Sequence, residues 1–78
     1  MHEFKLVSDV LKEVLNRSEG KRVEVVRLRV GENCHAKPDN LDFLFRNASK
    51  GTAAESTKLE ITIIPGEDLI LESIRIED

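Results

Sequence analysis

The segment "RVEVVRLRV", residues 22–30, constrains this chain more than any other. Val26, Leu28 and Val30 share one side of the alternation, while Val23, Val25, Arg27 and Arg29 share the other. A period of two is that of a β-strand. The arginines leave only one face to meet a core, so the remaining apolar stripes must stack on that face.

Two such stripes flank the strand. Phe4, Val7, Val10, Leu11, Val14 and Leu15 recur at three- and four-residue steps, opposite Lys5, Asp9, Lys12, Glu13 and Asn16. This spacing predicts a first helix that ends near Gly20, a residue suited to a left-handed C-cap. "GENCHAK" is a loop. Pro38 fits the first turn of a second helix, whose stripe is Leu41, Leu44, Phe45 and Ala48 with Phe43 beside it, and which ends before Gly51. Two apolar runs, Leu59–Ile64 and Leu69–Ile76, then flank "PGED", where Pro and Gly favour a tight antiparallel hairpin. The order is helix, strand, helix, strand, strand. The expected fold is a single-domain α+β two-layer sandwich, two helices on a three-stranded sheet. The link between the first two strands is long enough for a right-handed crossover. Part of the sheet's second face (Val23, Val25, Leu69 and Leu71, or their opposites) is expected to stay exposed, which favours a homodimer or a partner.

Several function classes are excluded. A chain of 78 residues makes one small domain with a thin core. The net charge of -3 gives no basic face for nucleic acid, and three Phe without Trp or Tyr give no platform for stacking bases. No apolar run spans a bilayer and no secretory leader opens the sequence. The lone cysteine, Cys34, has no internal disulfide partner, which suits the reducing cytoplasm. Ser and Asp are present, but only His2 and His35 could serve as a catalytic base. No nucleophile elbow or phosphate loop precedes a helix, so the chain is not expected to be an enzyme. Glu32, Asp39 and Asp42 are read as helix-start and surface charges.

The opening "MHE" does carry chemistry. A free chain beginning X-His offers its α-amine and the amide nitrogen of residue 2 as one five-membered chelate ring. The same amide nitrogen and the imidazole Nδ1 close a six-membered ring. Three nitrogens then lie in a plane, and the amide nitrogen or carboxylate of Glu3, or another ligand, fills the fourth place. Planar nitrogen and oxygen donors suit nickel(II) or copper(II). Because amine and amide protons must leave, binding strengthens as pH rises. The candidate metal ligands are therefore Met1, His2 and Glu3. Glu3 also has a plain structural role, since a carboxylate complements the positive end of a helix. Cys34 and His35 form a second candidate pair, able to complete the first site if their loop folds back toward the N-terminus.

In the order "MHE", "VRLRVGE", "PDNLDFLF", "KGTAAE", "KLEITIIPG" and "ESIRIED", nearly the whole chain resembles the HypA-type hydrogenase nickel-incorporation proteins. The resemblance implies a small nickel metallochaperone that acts by chelation and handover. It would work with a nickel-handling GTPase on the large subunit of a [NiFe]-hydrogenase, and in some members on urease. It also implies a nickel site at the free N-terminus with the His and Glu that stand here as His2 and Glu3. The family's zinc domain, two Cys-x-x-Cys pairs between the last two strands, is not matched: "IIPGEDLILE" stands there without a cysteine. The chain thus looks like the nickel domain closed by a short hairpin near residues 65–68, with no structural zinc expected. The other reading is a metal-free interaction module built on the same fold.

Overall fold

A computed structural model describes residues 2–77 of the protein; Met1, Asp78 and the side chain of His2 lie outside the described residues. The order is α1 (His2–Ser18), β1 (Val23–Gly31), α2 (Pro38–Ala48), β2 (Lys58–Ile64) and β3 (Leu69–Ile76). Both helices pack with one face of the three-stranded sheet, giving the expected two-layer α+β sandwich.

The helical spacing of its apolar residues makes α1, and pairs one turn apart support it: Lys5 with Asp9 and Arg17 with Glu13, each at 3.2 Å. Val7 and Val14 are buried at the centre of the stripe, with Leu6, Val10, Leu11 and Leu15 packed at its flanks. Phe4 departs from the expectation of burial and is 55% exposed. At 100° per residue it falls on the Leu11 and Leu15 shoulder, away from the Val7 and Val14 line. Glu19 and Gly20 both adopt left-handed backbone, at φ 52° and 82°, and end the helix. In α2, Leu41 and Phe45 are buried, with Leu44 and Ala48 packed against the core.

β1 is the central strand, and two irregularities shape it. Its register with β3 runs Val23 to Ile76 and then Val25 to Arg75, so Glu24 is an extra residue. That bulge resets the alternation. Val23 therefore joins Val26, Leu28 and Val30 in the core at 0% exposure, rather than sharing a side with Val25 as the bare alternation suggests. A second shift, between Arg27 and Leu28, leaves Glu72 as the extra residue of β3 and sets it against Arg29. Leu69 and Leu71 pack against the core, while their opposite in β3, Ile70, stays 43% exposed beside Arg29, so the expected exposure on the second face falls there. The rest of that face carries Arg27 paired with Glu60, Arg29 with Glu72 and Arg75 with Glu24. Exposed pairs of this kind contribute roughly 0–1 kcal/mol each.

The larger correction concerns β2 and β3, which are not hairpin partners. The sheet order is β2-β1-β3, with β2 parallel and β3 antiparallel to β1. Residues 65–68 must therefore cross the end of β1, a span of about 10 Å between strands two apart, which four residues cover easily. Backbone bonds stitch the crossing down. Gly31 N–H donates to the Asp68 carbonyl and Glu32 N–H to that of Ile64, both at 2.7 Å, and Asn33 N–H donates to that of Gly66 at 2.9 Å. The turn residues "PGED" do mark a tight connection. Alternation alone cannot say which strand becomes the neighbour, and β1 takes both.

Leu41 is among the largest fully buried side chains. Leu41→Ala is expected to cost about 2–5 kcal/mol, a large share of the roughly 4–12 kcal/mol available to a chain of this length. Arg29→Ala is expected to cost less than about 1 kcal/mol. Urea denaturation of the two variants checks both values.

Candidate metal centre

The first turn of α1 is where the fold meets the proposed chemistry. Glu3, Val7, Val10 and Val14 are spaced four, three and four apart, so they form one helical stripe. Glu3 thus occupies the leading position of the line that buries Val7 and Val14. It is half-buried, and its Oε2 is fully buried without a hydrogen-bond partner among the described residues. Buried polar atoms are nearly always paired, so a lone carboxylate oxygen here calls for a donor or a cation. The spacing 3, 7, 10, 14 was visible in the sequence as an acidic residue heading an apolar stripe.

The backbone at this point is suited to metal as well. The helix begins at His2. The first N–H groups of a helix have no intrahelical acceptor. An ion that displaces the amide protons of residues 2 and 3 therefore breaks no helical hydrogen bond. Of the expected ligands, Glu3 is placed by the structure. Met1 and the His2 side chain lie outside the described residues.

A cleft of about 440 Å³ opens beside this turn. Lys5, Leu6 and Asp9 of α1 form one wall, Cys34 and His35 of the β1–α2 loop another, and Glu67, Asp68 and Leu69 a third. The "GENCHAK" loop does fold back to the start of α1. Its two candidate ligands part company there: Cys34 is buried in the core cluster at 4% exposure, whereas His35 is exposed. No three His, Cys, Asp or Glu side chains come together as a metal site among the described residues. Glu32 and Asp39 are exposed, Asp39 in the first turn of α2, and Asp42 pairs with Arg46 at 3.0 Å, as their reading as surface charges requires.

A four-thiolate zinc site does not fit these residues. One cysteine cannot supply it, and that cysteine is in the core. Among the described residues no helix is long and apolar enough to cross a membrane.

Comparison with known proteins places this chain in a family. Residues 1–69 match the family model described as "HypA: Hydrogenase/urease nickel incorporation, metallochaperone". The hydrogenase maturation factor HypA of Archaeoglobus fulgidus is 42% identical over 66 residues, covering 81% of this chain and 60% of its own length. That of Methylocella silvestris is 37% identical over 70 residues (86% and 62%). That of Rhizobium leguminosarum bv. viciae is 39% identical over 75 residues (92% and 66%). The chain spans about three-fifths of the length of the curated relatives it matches. The solution structure of the Ni metallochaperone HypA from Helicobacter pylori shares the fold, with a TM-score of 0.63 at 12% identity over 97% of this chain and 93% of that one.

Proposed function

This chain belongs to the HypA family of hydrogenase/urease nickel-incorporation metallochaperones, and on that premise we propose that it binds nickel(II) as cargo through Met1, His2 and Glu3. The α-amine of Met1, the amide nitrogen of His2 and the His2 imidazole form the planar core of the site, and Glu3 supplies the fourth donor. The observation that carries this reading is the buried Oε2 of Glu3, which has no hydrogen-bond partner among the described residues. A buried carboxylate oxygen in that position is suited to accept a donor or a cation.

The mechanism is chelation followed by handover, without catalysis. A site at the start of a chain is open at its edge, so an acceptor's ligands can replace the donors one at a time. The fused chelate rings hold the ion against loss to water, while each single donor remains displaceable. In this reading the 78 residues form one nickel-binding domain, and the crossing at residues 65–68 stands where the resemblance puts a zinc insertion. No structural zinc is required. The partners are a nickel-handling GTPase and the large subunit of a [NiFe]-hydrogenase, met in the cytoplasm. The reading requires a free Met1 amine.

Proton counting tests it. At pH 7.5 an α-amine of pKa about 8 is mostly protonated, an ordinary imidazole of pKa about 6.5 is mostly neutral, and an amide is fully protonated. Terminal chelation must therefore release about two protons per nickel ion. Binding by surface carboxylates or imidazoles releases almost none. Calorimetric titration in buffers of different ionisation enthalpy reads this number. Affinity is expected to rise steadily from pH 6.5 to 8.5, since protons compete for both nitrogens. A release near zero, with affinity flat across that range, would exclude the chelate.

A further inference from the structure

We propose that the outer edge of β2 is a docking edge for a second copy of this chain, through which two molecules join their sheets across a two-fold axis. This goes beyond the metal reading and does not depend on it. The strand order β2-β1-β3 leaves β2 and β3 each with one unpaired side among the described residues. A strand edge presents a row of backbone donors and acceptors that invites another strand, and proteins blunt such rows with bulges and charges. β3 is blunted in this way, since the shift between Arg27 and Leu28 leaves Glu72 as an extra residue. β2 is not. Its seven residues run in unbroken register with β1 from Lys58 to Ile64.

The backbone shows which groups face outward. Glu32 N–H donates to the Ile64 carbonyl, so Ile64 directs its backbone groups toward β1. The N–H and C=O of one residue point to the same side of a strand, and the side alternates along it. Glu60 and Thr62 therefore also turn to β1, while Leu59, Ile61 and Ile63 turn their N–H and C=O away from it. The same three residues register with Val26, Leu28 and Val30, so their side chains lie on the face that the helices cover. The cover gives out at the last of them, and Ile63 is 52% exposed.

A second copy fits this edge because the strand is complementary to itself. Antiparallel pairing about Ile61 sets Ile61 on its own copy and Leu59 against Ile63 in both directions. Every outward N–H and C=O of the three then finds a partner, in about six hydrogen bonds. On the other face Glu60 falls opposite Thr62 of the second copy, whose hydroxyl can donate to the carboxylate that Arg27 holds at 3.1 Å. Lys58, the other charged residue of β2, falls opposite Ile64, so no like charges are directly opposed. The neighbouring registers lose something. Pairing about Glu60 sets that carboxylate against its own copy, and pairing about Thr62 puts Leu59 opposite Pro65, which has no N–H to give. A contact one strand long lies at the small end of protein interfaces, so the dimer is expected to be weak, with a Kd on the order of tens of micromolar.

The test follows the full chain by sedimentation equilibrium from about 1 μM to about 1 mM, with amide hydrogen exchange read at both ends of the range. The expected result is a monomer–dimer equilibrium in which the amides of Leu59, Ile61 and Ile63 exchange more slowly as concentration rises, while those of β3 do not change. Ile63→Lys places a charge in the apolar row and is expected to raise Kd at least about tenfold. Thr62→Lys, one position away, faces Glu60 of the second copy and is expected to lower Kd about threefold or more. Both positions are exposed, so the melting temperature at low concentration is expected to stay native in both variants. A chain that remains monomeric at about 1 mM would overturn the proposal and leave the edge to a strand of another protein. A dimer whose protection falls on β3, or whose Kd moves the same way in both variants, would overturn it as well.

Discussion

Replacing Gly31 by alanine is expected to destabilise the protein by about 3 kcal/mol or more. A Cβ built at Gly31 lies 2.3 Å from the Gly66 carbonyl oxygen, 2.6 Å from its carbon and 2.8 Å from the Glu67 nitrogen. All three atoms are backbone, so no side chain can swing away. Relief requires the crossing at residues 65–68 to lift off the end of β1. Lifting it breaks the bonds from Gly31, Glu32 and Asn33 to the Asp68, Ile64 and Gly66 carbonyls. Those bonds fix where β3 begins, and β3 carries Leu69, Leu71, Ile74 and Ile76 to the core.

For a domain of this size the loss corresponds to a fall in melting temperature of about 12–24 °C. Gly66→Ala is the internal comparison. Its Cβ would meet nothing within 4 Å, although φ is +98°. Only the backbone penalty applies there, about 1–2 kcal/mol. Thermal denaturation followed by circular dichroism separates the two variants. The outcome also decides the topology. If β2 and β3 formed a hairpin beside β1, Gly31 would be an ordinary loop residue and alanine nearly neutral. A Gly31→Ala variant that melts within a few degrees of the native protein would show that the crossing is wrong.

The layers of the fold were legible because they rest on periodicity. Steps of three and four from Val7 to Leu15 and from Leu41 to Ala48 made two helices, and the alternation at Val26, Leu28 and Val30 made a strand. A thin core leaves little freedom beyond stacking both helices on one sheet face. What escaped were features that periodicity does not encode. The bulge at Glu24 costs one residue of phase, and it alone moves Val23 from the open face to the core. Strand order depends on which neighbour a β-edge finds, and Leu59–Ile64 alternates equally well beside either candidate. Gly31 does hold the missing information, as a glycine at the end of a strand where another backbone approaches. Nothing in one sequence says which backbone that is.

The proposed site rests on a different kind of reading. Met1, His2 and Glu3 are candidate ligands by the bond geometry of their own donor atoms, with no fold in hand. The half-burial of Glu3 was not legible, although its place one turn ahead of Val7 carried the signal. The cleft was beyond sequence reading, since it is walled by segments 25 or more positions apart in the chain, around Lys5, His35 and Asp68.

The central claim is that nickel is held by the start of the chain. Fused rings owe their affinity to linked donors, each new ring being closed within one molecule rather than by a fresh encounter. Linkage of this kind is worth on the order of 10²–10⁴ in affinity. Either of two changes removes it without touching the core. His2→Ala deletes the imidazole and its six-membered ring. One extra residue ahead of Met1 converts the amine into an amide and moves the new terminus away from His2. Leu41, Val14 and Val23 hold the fold in all three forms, so equal melting temperatures are expected and differences in binding report the site.

The deciding measurement is a nickel titration at pH 7.5 of the native chain, the chain extended by one residue before Met1, and His2→Ala, followed by the absorption of the bound ion. A terminal chelate predicts tight binding of one ion by the native chain and a loss of about 100-fold or more in both others. Equal binding by all three, or none by the native chain with a free amine, would contradict it and leave a metal-free interaction module as the better reading.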